Sequence, residues 1–195
     1  KDGRLLAFSG LNGARQITSA MDIATAKAAF AATIQRPETG SGNEQGLAAT
    51  YRAVERFSDA ASASSPNHDF FRDDAALAVA VITDADETPA NGVFTDHNDP
   101  ANLLSYIKQI WPKKAFNFSS IIVKSGDSVC RDTNPQVNQN EGYGTRYEAL
   151  SIATNGVIGS VCDADYSSQL KVIGQKASSL VNNMTLECLP ADINS

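Results

Sequence analysis

The stretch Ala75-Ala76-Leu77-Ala78-Val79-Ala80-Val81-Ile82-Thr83-Asp84-Ala85-Asp86-Glu87 decides the fold class. An apolar run, β-branched towards its end, stops in a cluster of carboxylates. A continuous run of this length suits a strand buried on both faces, as in a parallel sheet covered by helices. Open α/β sheets gather their ligands at the carboxyl ends of strands. Asp84, Asp86 and Glu87 therefore stand where a site is expected, and hard oxygen ligands suit Mg²⁺ or Ca²⁺. The competing reading is a solvated acidic turn after a core strand.

On either side of this run, segments of helical and strand periodicity alternate. Arg4 to Phe8 reads as a short strand or extended entry. Met21 to Ile34 reads as a helix ending before Pro37, with Ile23, Ala26, Phe30 and Ile34 as its stripe. The glycine-rich turn Thr39 to Gly46 leads into a helix whose stripe is Leu47, Tyr51, Val54 and Phe57. Ser58 to Asp74 and Asp86 to Asn98 read as loops. Between the second loop and the next strand, Ala101 to Trp111 forms a helix capped by Asn98-Asp99-Pro100. Phe118 to Val123 is that strand, and Lys124 to Gly144 is a long polar loop. Thr145 to Thr154 is a helix that Asn155-Gly156 terminates. Val157 to Val161, Tyr166 to Val181 and Met184 to Leu189 complete the alternation as strand, helix and strand. This order predicts an α/β fold: a doubly wound, mostly parallel sheet with helices on both faces.

A chain of 195 residues suits one domain with a sizeable core. Its net charge of −6 and the lack of a lysine or arginine block remove a nucleic-acid footprint. No apolar run approaches the ~20 residues that span a bilayer. The opening Lys1-Asp2-Gly3-Arg4 is no secretory leader, and reads as the interior of a longer polypeptide.

Cys130 and Cys162 each follow a strand-like run, so two adjacent parallel strands would bring them together as a disulfide. That pairing implies an oxidising compartment. Cys188 is left over, either free or bonded to a segment beyond this chain. Zinc is not expected, because there is no Cys-x-x-Cys and the only histidines are His68 and His97.

The glycine-rich turn is not a phosphate loop, since no Gly-Lys-Ser/Thr follows it. Its helix entry can still hold an anion, or turn the Asn43 and Glu44 side chains toward a cation. No nucleophile, base and orienting group line up, so an enzyme is not expected. Asn117-Phe118-Ser119 and Asn183-Met184-Thr185 match the glycosylation acceptor pattern, the first by chance because Ser119 falls in a strand.

Together these pieces resemble a von Willebrand factor A-type domain, closest to secreted or lipid-anchored bacterial versions. The carrying residues are Gly40-Ser41-Gly42-Asn43-Glu44-Gln45-Gly46-Leu47 and Phe70-Phe71-Arg72-Asp73-Asp74-Ala75, the latter running into Val81-Ile82-Thr83-Asp84-Ala85-Asp86-Glu87. Gly144-Thr145-Arg146-Tyr147 and Gly156-Val157-Ile158-Gly159-Ser160-Val161-Cys162-Asp163 follow in order. The resemblance implies a metal-ion-dependent adhesion site built from three loops at the carboxyl edge of the sheet. Asp84 matches the aspartate of the third loop, and Asn43 or Glu44 stands where threonine is usual. No strand-borne Asp-x-Ser-x-Ser is present. By that comparison the chain begins after the first helix and second strand, and a missing N-terminal piece of the same polypeptide is a partner.

The resemblance thus implies one such domain over residues 1–190, N-terminally incomplete, with 191–195 opening a linker. The expected function is adhesion at the cell surface, outside the cell or in the periplasm. A protein or glycan ligand would be held through Mg²⁺ or Ca²⁺ on Asp84, Asn43, Glu44 and Asp86. The alternative is a structural domain of a larger bacterial surface assembly with a degenerate metal site.

Overall fold

The computed structural model describes residues 3–35, 42–58, 67–68, 70–89, 92–134 and 142–182. Strands β1 (Leu77–Ile82), β2 (Phe116–Ile122) and β3 (Ile158–Ser160) pair in parallel in the order β1-β2-β3. Leu77 is opposite Phe116 and Ile82 opposite Ile121, while Ser120 to Ile122 face Ile158 to Ser160. The strands alternate with helices, so the class is α/β with a small all-parallel sheet. Met184 to Leu189 lies outside the described residues.

The sheet's central strand is β2, which is buried along all but its first residue. Burying Asn117, Ser119 and Ser120 there requires that each be bonded. Ser120 and Ser151 hydroxyls pair at 2.9 Å, and Ser119 donates to Asn117 at 3.0 Å while accepting from the Val157 amide. Asn117 donates to the Thr154 and Asn155 carbonyls, which occupies the side chain that a glycosylation site would need exposed. The expectation of a strand buried on both faces was placed on the wrong element. In β1, Ala78, Ala80 and Ile82 are exposed, because it is an edge strand among the described residues.

Side chains alternate across a strand, so β2 divides the core. Phe118 and Ile122 point to one face, where they meet Leu47, Leu103, Ile107, Tyr147 and Leu150. Those residues come from helices α2 (Gly46–Ser58), α3 (Pro100–Ile110) and α5 (Thr145–Ala153). The stripe Leu47, Tyr51, Val54 and Phe57 sends its first and third members fully into this core, with the other two packed at its margin. Ile121 points to the other face, beside Gly159 of β3, over which Gln169 of helix α6 (Ser167–Asn182) packs.

Local signals explain the helix ends. Asp99 caps α3 by accepting from the Ala101 and Asn102 amides, with Pro100 at the first helical position. The α5 helix stops at Asn155, which takes a positive φ of 53°, and at Gly156. A Cβ on Gly156 would lie 1.7 Å from the Phe118 carbonyl oxygen, so only glycine fits against β2.

Three expectations need correcting. Helix α1 (Ile23–Ile34) forms, but its stripe faces outward: Ile23, Phe30 and Ile34 are exposed and Ala29 is the buried residue. Of the two readings of Arg4 to Phe8, the strand does not form; a turn follows, with the Phe8 amide donating to the Ala14 carbonyl. Finally, the polar loop after β2 contains a short helix, α4 (Ser128–Thr133), capped by Asp127.

That helix holds Cys130 next to Cys162, which follows β3. Their sulfurs lie 1.99 Å apart and their Cα atoms 5.6 Å apart, at disulfide distance. A cross-link over a separation of 32 residues contributes about 3–4 kcal/mol in the chain-entropy picture. Reduction should therefore shift the denaturant midpoint down by that much free energy. Two free thiols by intact mass, with an unchanged midpoint on adding reductant, would contradict the bond.

Candidate functional site

Beyond β1 the chain enters the carboxyl edge. The ladder continues one step, with the Thr83 amide donating to the Ile121 carbonyl. The Thr83 hydroxyl then donates to the Ala85 carbonyl and accepts from the Ala85 amide, closing a tight turn. Asp84 sits on this turn, half-exposed, and its carboxylate has no hydrogen-bond partner among the described residues.

Its two acidic neighbours have different work. Asp86 lies over the start of α5, where Oδ1 accepts from the Arg146 amide at 3.0 Å and Oδ2 from the Thr145 hydroxyl at 2.7 Å. An anion there satisfies orphan amides and complements the positive end of the helix dipole. Glu87 does the same for α2, but buried, with 2 % of its surface exposed. Its Oε2 accepts from the Leu47 amide at 2.8 Å and the Tyr147 hydroxyl at 2.7 Å. Its Oε1 accepts from the Ala48 amide at 3.0 Å and the Asn98 side-chain amide at 2.7 Å. The Tyr147 hydroxyl in turn accepts from the Gly46 amide at 2.9 Å.

Every amide of the first α2 turn is thereby paired, since Ala49 donates to the Gln45 carbonyl. Four donors around one carboxylate are what let a charge be buried there. The network also ties four segments to one point: the loop after β1, the α2 entry, the 3-10 turn Asp96–Asn98 and α5. Burial first, and then the Glu87 carboxylate, push the Tyr147 phenol well above the ordinary tyrosine value.

The turn before α2 is fastened to the same loop. Thr88 donates its amide (2.7 Å) and its hydroxyl (3.1 Å) to the Glu44 carbonyl, and the Gln45 side chain donates to the Thr88 carbonyl. Asn43 is exposed one residue upstream and Glu44 is half-buried. The structure therefore joins the Asn43–Glu44 turn to the loop that bears Asp84 at one edge of the sheet. It gives Asp86 to α5. Among the described residues, no group of three or more His, Cys, Asp or Glu side chains is placed to hold a metal ion. For a hard cation, the carboxylate of Asp84 is a suitable donor, whereas both oxygens of Asp86 are already bonded.

The sequence places Glu87 in the acidic turn with Asp84 and Asp86, and does not show Tyr147 and Asn98 as its partners. Nothing local links a tyrosine 60 positions downstream to a glutamate; only the fold brings them together. Also missed was Arg146, whose guanidinium stands 3.7 Å over the exposed Phe94 ring. His97 lies 3.2 Å from Glu55 and edge-on to Tyr51, which accounts for it without catalysis. No protein-family model, curated protein or solved structure matches the chain. Among the described residues no helix is long and apolar enough to cross a membrane.

Two predictions follow from the Glu87 network. Glu87→Ala strands four buried donors at roughly 1 kcal/mol or more each, so unfolding free energy should fall by about 3–5 kcal/mol in urea titration. A loss under about 1 kcal/mol would be the cost of an ordinary surface change and would contradict the network. Tyr147 supplies the second. Its folded pKa exceeds the unfolded value of about 10, so the folded chain keeps a proton that the unfolded chain releases. The stability it contributes is complete below about pH 10 and is lost as the pH rises beyond it. Stability of the parent chain should therefore decline more steeply above about pH 10 than that of Tyr147→Phe; equal slopes would contradict this.

Proposed function

We propose that the chain is part of an extracellular or cell-surface ligand-binding module of the von Willebrand factor A type, and not an enzyme. In this reading a divalent cation, Mg²⁺ or Ca²⁺, sits at the carboxyl edge, and a protein or glycan ligand completes its coordination. The observation that carries it is Asp84. Of the three carboxylates beyond β1, it alone has no partner among the described residues, and its loop is pinned to the Asn43–Glu44 turn. Asp84 is the ligand that carries this reading, with Asn43 and Glu44 on the turn tied to its loop, while Asp86 supports α5. An upstream piece of the polypeptide, carrying the serine loop the resemblance implies, would supply the remaining ligands. A bound cation would act as a Lewis-acidic bridge to an acidic group on the ligand. Cys130 and Cys162 at disulfide distance support an oxidising location such as the cell exterior or periplasm.

A second reading is favoured by Asp86. With both of its oxygens capping α5, the acidic cluster is largely structural, which suits an interaction domain whose metal site has degenerated. Calorimetric titration with Mg²⁺, Ca²⁺ and Mn²⁺ separates the two. The first reading expects saturable binding that weakens at least about tenfold in Asp84→Ala, with melting temperature unchanged in the absence of metal. Absence of binding to a polypeptide that includes the upstream piece would overturn it in favour of the second.

A further inference from the structure

Helix α1 carries an apolar stripe that the core does not take up. Ala26 and Phe30 of that stripe line a cavity of about 650 Å³, together with Leu5, Phe8 and Ile17 of the N-terminal segment and with Phe70. Small-molecule sites commonly enclose ~300–1,000 Å³. Hydrogen bonds fix the walls. The Phe8 amide donates to the Ala14 carbonyl at 2.8 Å, which closes a turn, and the Ser9 amide donates to the Thr33 hydroxyl of α1 at 2.8 Å. Farther back, Asn67 accepts from the Leu5 amide at 3.0 Å and donates to the Ala53 carbonyl of α2 at 3.2 Å. The segment is thus tied to α1 at one point and to α2 at another. Those ties hold it off the apolar face of α1, and the space between stays open.

Two charged residues complete the lining, and both are cations: Arg15 and Lys27. Each is exposed, so their charges stand at the rim of the cavity. Neither has a hydrogen bond or an ion pair among the described residues. No Asp or Glu is among the described lining residues. On a chain of net charge −6 this is a local reversal, placed beside exposed apolar side chains of Leu6, Phe30 and Phe70.

We propose that this cavity binds a single anionic amphiphile: an alkyl chain ending in a carboxylate or a comparable acid group. The apolar walls take the chain, since each buried methylene is worth about 0.8 kcal/mol. The acid group pairs with Arg15 and Lys27, which otherwise have no partner in the described structure. A peptide suits the site less well. The lining is mainly apolar, so an extended backbone would bury amides without partners for them. A membrane surface suits it less well too. Docking on anionic lipid takes clusters of about 4–8 basic residues, and here two stand on an acidic chain.

The test titrates dodecanoate, below its micellar concentration, into the full-length protein with EDTA present, so that it is independent of any cation at Asp84. Amide signals of Phe8, Ile17 and Phe30 should shift saturably in NMR spectra. Dodecylammonium and dodecanol should bind at least about tenfold more weakly. Arg15→Glu combined with Lys27→Glu should reverse the preference in favour of dodecylammonium. Its melting temperature should change little, because exposed side chains without partners contribute little to stability. Phe30→Ser should weaken dodecanoate binding in the parent and dodecylammonium binding in the doubly substituted chain alike. Equal binding of the two head groups by the parent, or an unreversed preference in the double variant, would overturn the proposal. So would shifts centred away from these residues, or co-sedimentation with phosphatidylglycerol vesicles without saturable binding of dodecanoate, which would make the occupant a membrane surface.

Discussion

A carboxylate with 2 % exposure accepting four hydrogen bonds holds the carboxyl edge together. Glu87 is where the loop after β1, the entry of α2, the turn at Asn98 and the start of α5 meet. A buried charge is costly unless all its lone pairs are engaged, and here the helix amides, an amide side chain and a phenol engage them. The same carboxylate caps α2 at its positive end, so the burial and the helix support each other. Asp86 repeats this arrangement for α5 nearer the surface. Two adjacent acids thus cap two different helices, and the turn of Asp84 between them and the sheet is held still.

That rigidity has a functional consequence. Binding groups are best carried on loops whose geometry is fixed by the scaffold. Asp84 is a half-exposed carboxylate on such a loop, and the Thr88 bonds to Glu44 tie the Asn43–Glu44 turn to the same loop.

Most of the fold class was legible in the sequence because it rests on local periodicity. The buried stripe of α2, the Asp99-Pro100 start of α3 and the Asn155-Gly156 stop of α5 each carry their signal within a few residues. Burial was less legible. An apolar run shows that a strand is suited to a core, but its neighbours decide whether it is central, and β2 with its buried serines took that place. The outward stripe of α1 is the same lesson, since helical spacing fixes a face without saying what it meets. At the site, the sequence marked the acidic turn but could not divide its labour. Whether a carboxylate faces solvent or a helix terminus depends on partners such as Tyr147, 60 residues away.

The central functional claim rests on Asp84 as a cation ligand, and paramagnetic Mn²⁺ reads it residue by residue. With trace Mn²⁺ added to the isotope-labelled protein, amide signals of Thr83, Asp84, Ala85 and Asn43 are predicted to broaden first. Asp84→Ala should restore them. Broadening spread evenly over the acidic surface, or centred away from Asp84, would contradict it.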